Sequence, residues 1–279
     1  MDTATSPQPA SGKKRGDVVV RCSGVSKWYG ERQILYDVDL EVRKGETLVI
    51  MGGSGHGKST LLRLLIGAEK PDGGSIELFG TEITGLAEES LYPLKRRFGV
   101  LFQSGALYNS MTVGDNIALP LREHTNLDEK IIAIIVKLKL ELVGLRDFEH
   151  LMPSEISGGM RKRVGLARAI ALDPEIIFYD EPGAGLDPVV LAVIDKLIVG
   201  LAEKLGVASI VVTHEMNSAF RIADRMILLY RGKVIAEGTG DEIRNSTDPI
   251  VQQFIQGKAE GPIPLRLSSR DLAEDLLGG

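Results

Sequence analysis

Short, almost wholly apolar runs alternate along this chain with longer stretches in which apolar residues recur at helical spacing. Runs of strand length occupy 18–22, 46–51, 76–79, 99–102, 176–180, 209–213 and 226–230. Residues 57–67 read instead as a helix with Leu61, Leu64 and Leu65 on its core-facing side. This alternation is the signal of a parallel sheet covered by helices, so the pattern predicts an α/β fold. Between Gln103 and Pro174 the character turns helical, with strong patterns over 129–143 and 158–172, which predicts a helical lobe inserted into the α/β core. Near the end, 248–256 carries Val251, Phe254 and Ile255 on one helical face with Pro249 in the first turn. Ser268 or Ser269 is placed to cap a last short helix bearing Leu272, Leu276 and Leu277. No internal repeat interrupts this order.

Composition narrows the class. The 279 residues correspond to one or two domains at about 150 residues each. With 43% hydrophobic and 25% charged residues the chain has enough apolar side chain for a sizeable core, which excludes a mainly disordered polymer. The net charge of −5 argues against a dedicated nucleic-acid binder, although a local basic patch is compatible with it. One cysteine, Cys22, excludes a disulfide framework and reads as a small buried side chain. Residues 1–16 are rich in Ser, Pro, Ala, Gly and Lys without an apolar stretch, so they read as a frayed tail rather than a secretory signal, with Lys13, Lys14 and Arg15 as a solvated charge run. No stretch approaches the roughly 18 uninterrupted apolar residues of a membrane span, so a cytosolic address is expected.

The chemistry concentrates in three segments. Gly52-Gly53-Ser54-Gly55-His56-Gly57-Lys58-Ser59 fits G-x-x-x-x-G-K-[ST] between a predicted strand and a predicted helix. Its glycines let the backbone wrap phosphate oxygens, and the helix beginning near Lys58, Ser59 and Thr60 aims its positive end at them. Lys58 is expected to bridge the β- and γ-phosphates and Ser59 to hold Mg²⁺. His56, at a free position of the pattern, is expected to be a solvent-facing loop residue. In the second segment, the apolar strand 176–180 ends in the adjacent acids Asp180 and Glu181. Asp180 is expected to support Mg²⁺, and Glu181 to polarise the attacking water as general base. In the third, Ser157-Gly158-Gly159 opens a helix with Ser157 as N-cap, a second phosphate cradle suited to another subunit's nucleotide. The following Arg161, Lys162 and Arg163 read as a solvated helix face.

These residues resemble the ATPase subunits of ABC transporters over 18–243. The resemblance implies a P-loop ATPase core at 17–243, with an N-terminal antiparallel β subdomain and a helical subdomain inserted at about 104–174. It also implies a C-terminal extension at 244–279 for dimer or partner contact. In that family two subunits sandwich two ATPs, each between one subunit's P-loop and the other's Ser-Gly-Gly signature. Tyr29, in Lys27-Trp28-Tyr29-Gly30, resembles the aromatic residue that stacks on adenine. Gln103 resembles the glutamine that touches Mg²⁺ or water, Asp187 the acid that communicates across the dimer, and His214 the switch histidine at the γ-phosphate. The signature carries Met160 where the family usually has glutamine.

That methionine, with 105–107, 120–123, 158–163 and the 248–263 stretch, resembles the Mla/Mce-type lipid transport ATPases. The resemblance implies ATP and Mg²⁺ as cofactors and a homodimer. It further implies a membrane permease dimer docking near 104–116 (Leu107, Tyr108 and Met111), and a place on the cytoplasmic face of the inner membrane. A periplasmic MCE-domain subunit and a small STAS-type cytosolic subunit are further partners it implies; nucleic acid is not. The alternatives are an ABC ATPase for another imported solute and a soluble ABC protein. An inert regulatory copy is disfavoured by the presence of Lys58, Asp180, Glu181 and His214.

Overall fold

The computed structural model of the protein describes residues 16–263; almost all of the expected N-terminal tail, and the helix expected after Ser268 or Ser269, lie outside them. The elements in order are β1 (Val18–Tyr29), β2 (Arg32–Arg43), β3 (Thr47–Met51), α1 (Lys58–Leu65), β4 (Gly73–Leu78), β5 (Thr81–Glu82), α2 (Glu88–Lys95) and β6 (Phe98–Leu101). Then come α3 (Val113–His124), α4 (Glu129–Leu142), α5 (Gly158–Ala169), β7 (Ile176–Asp180), α6 (Pro188–Leu205) and β8 (Ala208–Thr213). The described chain closes with α7 (Met216–Ile222), β9 (Arg225–Tyr230), β10 (Lys233–Gly238), α8 (Gly240–Arg244) and α9 (Pro249–Gln256). An antiparallel sheet runs β2-β1-β4-β5, and a second sheet runs β10-β9-β3-β8-β7-β6 with only β10 antiparallel. The α/β class and the N-terminal antiparallel sheet are therefore as expected.

The parallel strands explain their own composition. Leu48 and Ile50 of β3 enter a core shared with α1 and the antiparallel sheet, while Val49 and Met51 enter the opposite core with the helices. Ile176 and Phe178 divide from Ile177 and Tyr179 in the same way. Both faces of each strand are covered, so successive residues are all apolar. Each such side chain contributes about 1.5–3 kcal/mol of burial.

The antiparallel sheet departs from the sequence reading. β1 extends to Tyr29 and β2 is a full twelve-residue strand. Register shifts between Cys22 and Lys27 break the alternation. Opposite them Asp37 adopts φ +45°, its N–H bonded to Ser26 Oγ at 3.0 Å. An extra residue in a strand flips the facing of all that follow, which hides the period of two. β4 stops at Leu78 rather than Phe79, because Phe79 (φ +53°) and Gly80 (φ +76°) form the two-residue hairpin turn into β5.

α3, α4 and α5 all lie between β6 and β7 and pack on one another. α4 buries Ile132, Val136 and Leu140 yet leaves Ile131, Ile134, Leu138 and Leu142 exposed. α6 is capped by Asp187 and ends at Gly206 with φ +65°. Its buried Asp195 binds Arg221 and Ser218 of α7. No helix among the described residues is long and apolar enough to cross a membrane.

Candidate active site

β3, β7, β8 and β9 run parallel, so their carboxyl ends share one edge, with Met51 opposite Thr213 and Leu228, and Asp180 opposite Val212. Open α/β sheets present ligand sites at such an edge. The loop 52–57 leaves β3 there. Gly52 (φ +156°) lies so close to β9 that a Cβ would stand 2.4 Å from Leu229 O, and Gly57 (φ +101°) would place one 2.7 Å from Leu35 Cδ2. Only glycine satisfies both positions. Ser54, Gly55 and Ser59 are exposed, whereas Lys58 and Thr60 are buried. Lys58 Nζ curls back to donate to Gly52 O at 2.8 Å and Gly53 O at 3.0 Å, and it stands 3.9 Å from Glu181 Oε1. Burial pushes this ammonium below its ordinary pKa, against the pull of Glu181 and Asp180.

Glu181 is the centre of the cluster. Its N–H donates to Val212 O at 2.9 Å and its φ of +46° is unusual for a side chain with a Cβ. Its Oε2 accepts from the His214 N–H at 3.2 Å and lies 2.9 Å from His214 Nδ1. Lys58 at the start of α1, Glu181 just past β7 and His214 just past β8 thus converge. Asp180 is held above the usual carboxylate range by burial first and by the Glu181 charge second, with Arg63 and Lys58 opposing. Gln103 is exposed two residues past Leu101, which pairs with Tyr179, so it stands beside the end of the Asp180 strand. Among the described residues no group of three or more His, Cys, Asp or Glu could hold a metal by itself. One hydroxyl and one carboxylate, Ser59 and Asp180, fit a hard cation that takes its other oxygens from phosphate and water.

Ser157 and Gly158 are exposed at the start of α5, where Ser157 Oγ accepts from the Met160 N–H at 3.2 Å. Gly159 is buried, and a Cβ there would stand 2.6 Å from Val190 Cγ1 of α6. Asp187 caps α6 by accepting from the Val189 and Val190 N–H groups, each at 3.0 Å. This second helix start is separate from the Lys58–Glu181–His214 cluster and is joined to it through Lys162. The basic residues after it are not a solvated face. Arg161 donates to Pro153 O and Ile156 O, Arg163 to Val143 O and Gly144 O, and Lys162 is buried.

His56 also differs from expectation. It turns inward, Nδ1 accepting from the Gly53 N–H at 3.2 Å, with its ring edge-on to Tyr230 at 4.9 Å, and burial lowers its pKa. Tyr29 is exposed, its hydroxyl bonded to Glu69, which also accepts from Arg63 of α1 at 3.0 Å. Glu69 and Arg63, which tether Tyr29 to the loop helix, carry no motif that could have singled them out. In 104–116, fully buried Asn116 accepts from the Tyr108 N–H at 2.8 Å and donates to the carbonyls of Tyr108, Met111 and Thr112. Tyr108 projects at 54% exposure, while Leu107 packs into the core.

A glycine loop at the carboxyl edge of a parallel sheet, a lysine beneath it and a carboxylate pair two strands over, beyond β8, define a P-loop nucleotide-binding protein. More particularly, residues 35–184 match the ABC transporter family, and the chain belongs to it. The chain is 46% identical over 255 residues to the intermembrane phospholipid transport system ATP-binding protein MlaF of Escherichia coli, covering 91% of this chain and 95% of that one. It is 45% identical over 246 residues to the probable ribonucleotide transport ATP-binding protein mkl of Mycobacterium leprae, covering 88% and 71%. Among solved structures, a dimeric ATP-binding cassette in a post-hydrolysis state with ADP and Pi superposes with a TM-score of 0.73 at 32% identity, over 79% of this chain and 98% of that one. The chain is accordingly an ATPase whose hydrolysis is coupled to transport.

Proposed function

We propose that this chain powers a transporter that moves phospholipid, or a related lipid, between membranes. The observation that carries the reading is the 46% identity to the MlaF proteins, which extends over nearly the whole of both chains. Likeness to the probable ribonucleotide transport protein is almost as high but spans 71% of that protein, and it supports the second reading, another imported solute. Mass spectrometry of lipid co-purified with the membrane complex tests the choice. Bound phospholipid supports the first reading, and its absence together with ribonucleotide-stimulated ATPase activity supports the second.

Residues 17–243 act as the ATPase unit, with 104–174 as its inserted helical lobe and 244–279 as a contact extension. Gly52, Gly53, Ser54, Gly55, His56, Gly57, Lys58, Ser59 and Thr60 bind the phosphates, and Tyr29 stacks on adenine. Ser59, Gln103 and Asp180 hold Mg²⁺, which supplies charge neutralisation at the phosphates when bound. Lys58 follows the γ-phosphate charge, and its partial desolvation in the loop strengthens that attraction. Glu181 accepts a proton from the water that attacks the γ-phosphorus while the bond to the bridging oxygen breaks. His214, already 2.9 Å from Glu181 Oε2, orients that carboxylate toward the γ-phosphate. Two copies assemble head to tail, so that Ser157, Gly158, Gly159 and Asp187 meet the partner's nucleotide. The 104–116 segment, braced by Asn116, receives a membrane permease at the cytoplasmic face of the inner membrane. MCE-domain and STAS-type subunits complete the assembly.

Glu181→Gln removes the proton acceptor and keeps the shape. The expected result is a kcat lower by about 10²- to 10³-fold with ATP binding retained. Full turnover in that variant would remove Glu181 from the base role.

A further inference from the structure

We infer that Lys162 is a positioning residue for Glu181, holding the catalytic loop in place from the helix that begins at Ser157. Lys162 is 5% exposed, on the first turns of α5. Its Nζ donates to Ala184 O at 2.6 Å, Pro182 O at 2.9 Å and Glu181 O at 3.4 Å. An ammonium has three N–H groups and no acceptor, so three converging carbonyls satisfy it completely. Those carbonyls belong to one short turn, 181–184, which the chain enters through the positive φ of Glu181. The turn closes on itself through the Ala184 N–H to Glu181 O at 3.1 Å. Backbone held in this sparsely populated region persists only when its surroundings fix it, and Lys162 supplies three of the fixing bonds.

The opposite face of Glu181 is set by other groups. His214 and Lys58 hold its carboxylate, while Lys162 holds its carbonyl and the turn beyond. Carboxylate and backbone are therefore gripped from two sides, and removal of the rear grip lets the reacting oxygen drift without touching the phosphate loop. A displacement of about 1 Å at a reacting group reduces rate by up to about 10²-fold. Burial pushes the Lys162 ammonium below its ordinary pKa, against the pull of the nearby Glu181 charge. The same side chain ties the exposed Ser157–Gly158 start to the opposite site within one subunit. A load on that helix start is thereby transmitted to the catalytic turn.

This inference rests on Glu181 as the base, and the test separates the two. The full-length chain carrying Lys162→Met is compared with the unsubstituted chain, Glu181→Gln and the double variant, by steady-state ATPase kinetics and by ATP-binding stoichiometry and affinity. The expected result for Lys162→Met is a kcat lower by about 10- to 100-fold, with KM and ATP affinity within about twofold and one ATP bound per chain. Adding Lys162→Met to Glu181→Gln should change the residual rate by less than about twofold, since both act through one group. An unchanged kcat, a proportional loss of ATP affinity, or an equally large loss in the Glu181→Gln background would overturn the assignment. If Lys162→Met fails to bind ATP stoichiometrically, Lys162→Gln, which keeps two donors, takes its place. Failure of both assigns Lys162 to folding and also overturns the positioning role. Full activity of Glu181→Gln instead strikes the base reading itself.

Discussion

At the residue scale the site trades stability for charge. Asp180 and Glu181 are adjacent acids at a buried strand end, and Asp180 is held above the usual carboxylate range by burial and by its neighbour. A carboxyl whose folded pKa is raised binds its proton more tightly in the fold than in the unfolded chain. Its contribution is therefore favourable at low pH and is lost as pH rises through the folded value. Asp180→Asn, measured without nucleotide, should raise the melting temperature at pH 8 relative to the parent chain. The gain should vanish as pH falls to the carboxylate range. A melting temperature unchanged at pH 8 would contradict the repulsion. Residues with a fixed motif spacing, such as Gly57, Lys58 and Glu181, are legible without coordinates. His56, Glu69 and Lys162 are not, because each takes its role from a partner remote in sequence or from a backbone group, and neither leaves a spacing behind.

At the element scale legibility follows burial symmetry. β3, β7, β8 and β9 are covered on both faces, so each reads as one unbroken apolar run. β2 and the latter half of β1 escape because Asp37 and the shifts around Ser26 displace the alternation. α6 escapes for a different reason, since Val189, Val190, Val193, Ile194, Ile198 and Val199 give it the β-branched content of a strand. The 104–116 segment is read from the sequence as a docking stretch through Leu107, Tyr108 and Met111, yet a residue not singled out there, Asn116, builds it. Asn116→Ala leaves the Tyr108 N–H and the carbonyls of Tyr108, Met111 and Thr112 without that partner. Unfolding by urea should show a loss of about 2–4 kcal/mol, the range of a broken buried network. Retention of the parent midpoint would mean that water replaces the amide.

At the scale of the whole molecule, the end of the described chain belongs to the fold. Val251 is buried, Phe254 and Ile255 pack on the helical core, and Gln253 bonds Lys258 O and both backbone groups of Ile263. Truncation at Gly257 would remove those partners, so removal of 264–279 alone is the cleaner test of the extension as an assembly contact. The shortened chain should keep its melting temperature within about 2 °C and associate more weakly with its partner subunits by light scattering. Full-strength assembly would assign the contact elsewhere. The two-layered core was legible from the alternation of runs and helices; the pairing of strands was not, because no local pattern states which distant run becomes a neighbour.

That pairing sets a clock. Among the described residues β3 has β8 and β9 as its sheet neighbours, so the strand that feeds the phosphate loop waits for segments about 160 residues downstream. At a synthesis rate of about 5–20 residues per second, Thr47-Leu48-Val49-Ile50-Met51 leaves the ribosome roughly 8–30 seconds before its first neighbour exists. Throughout that interval an apolar strand stands with both edges open, so the yield of native protein depends on how long a nascent chain can be kept from others like it.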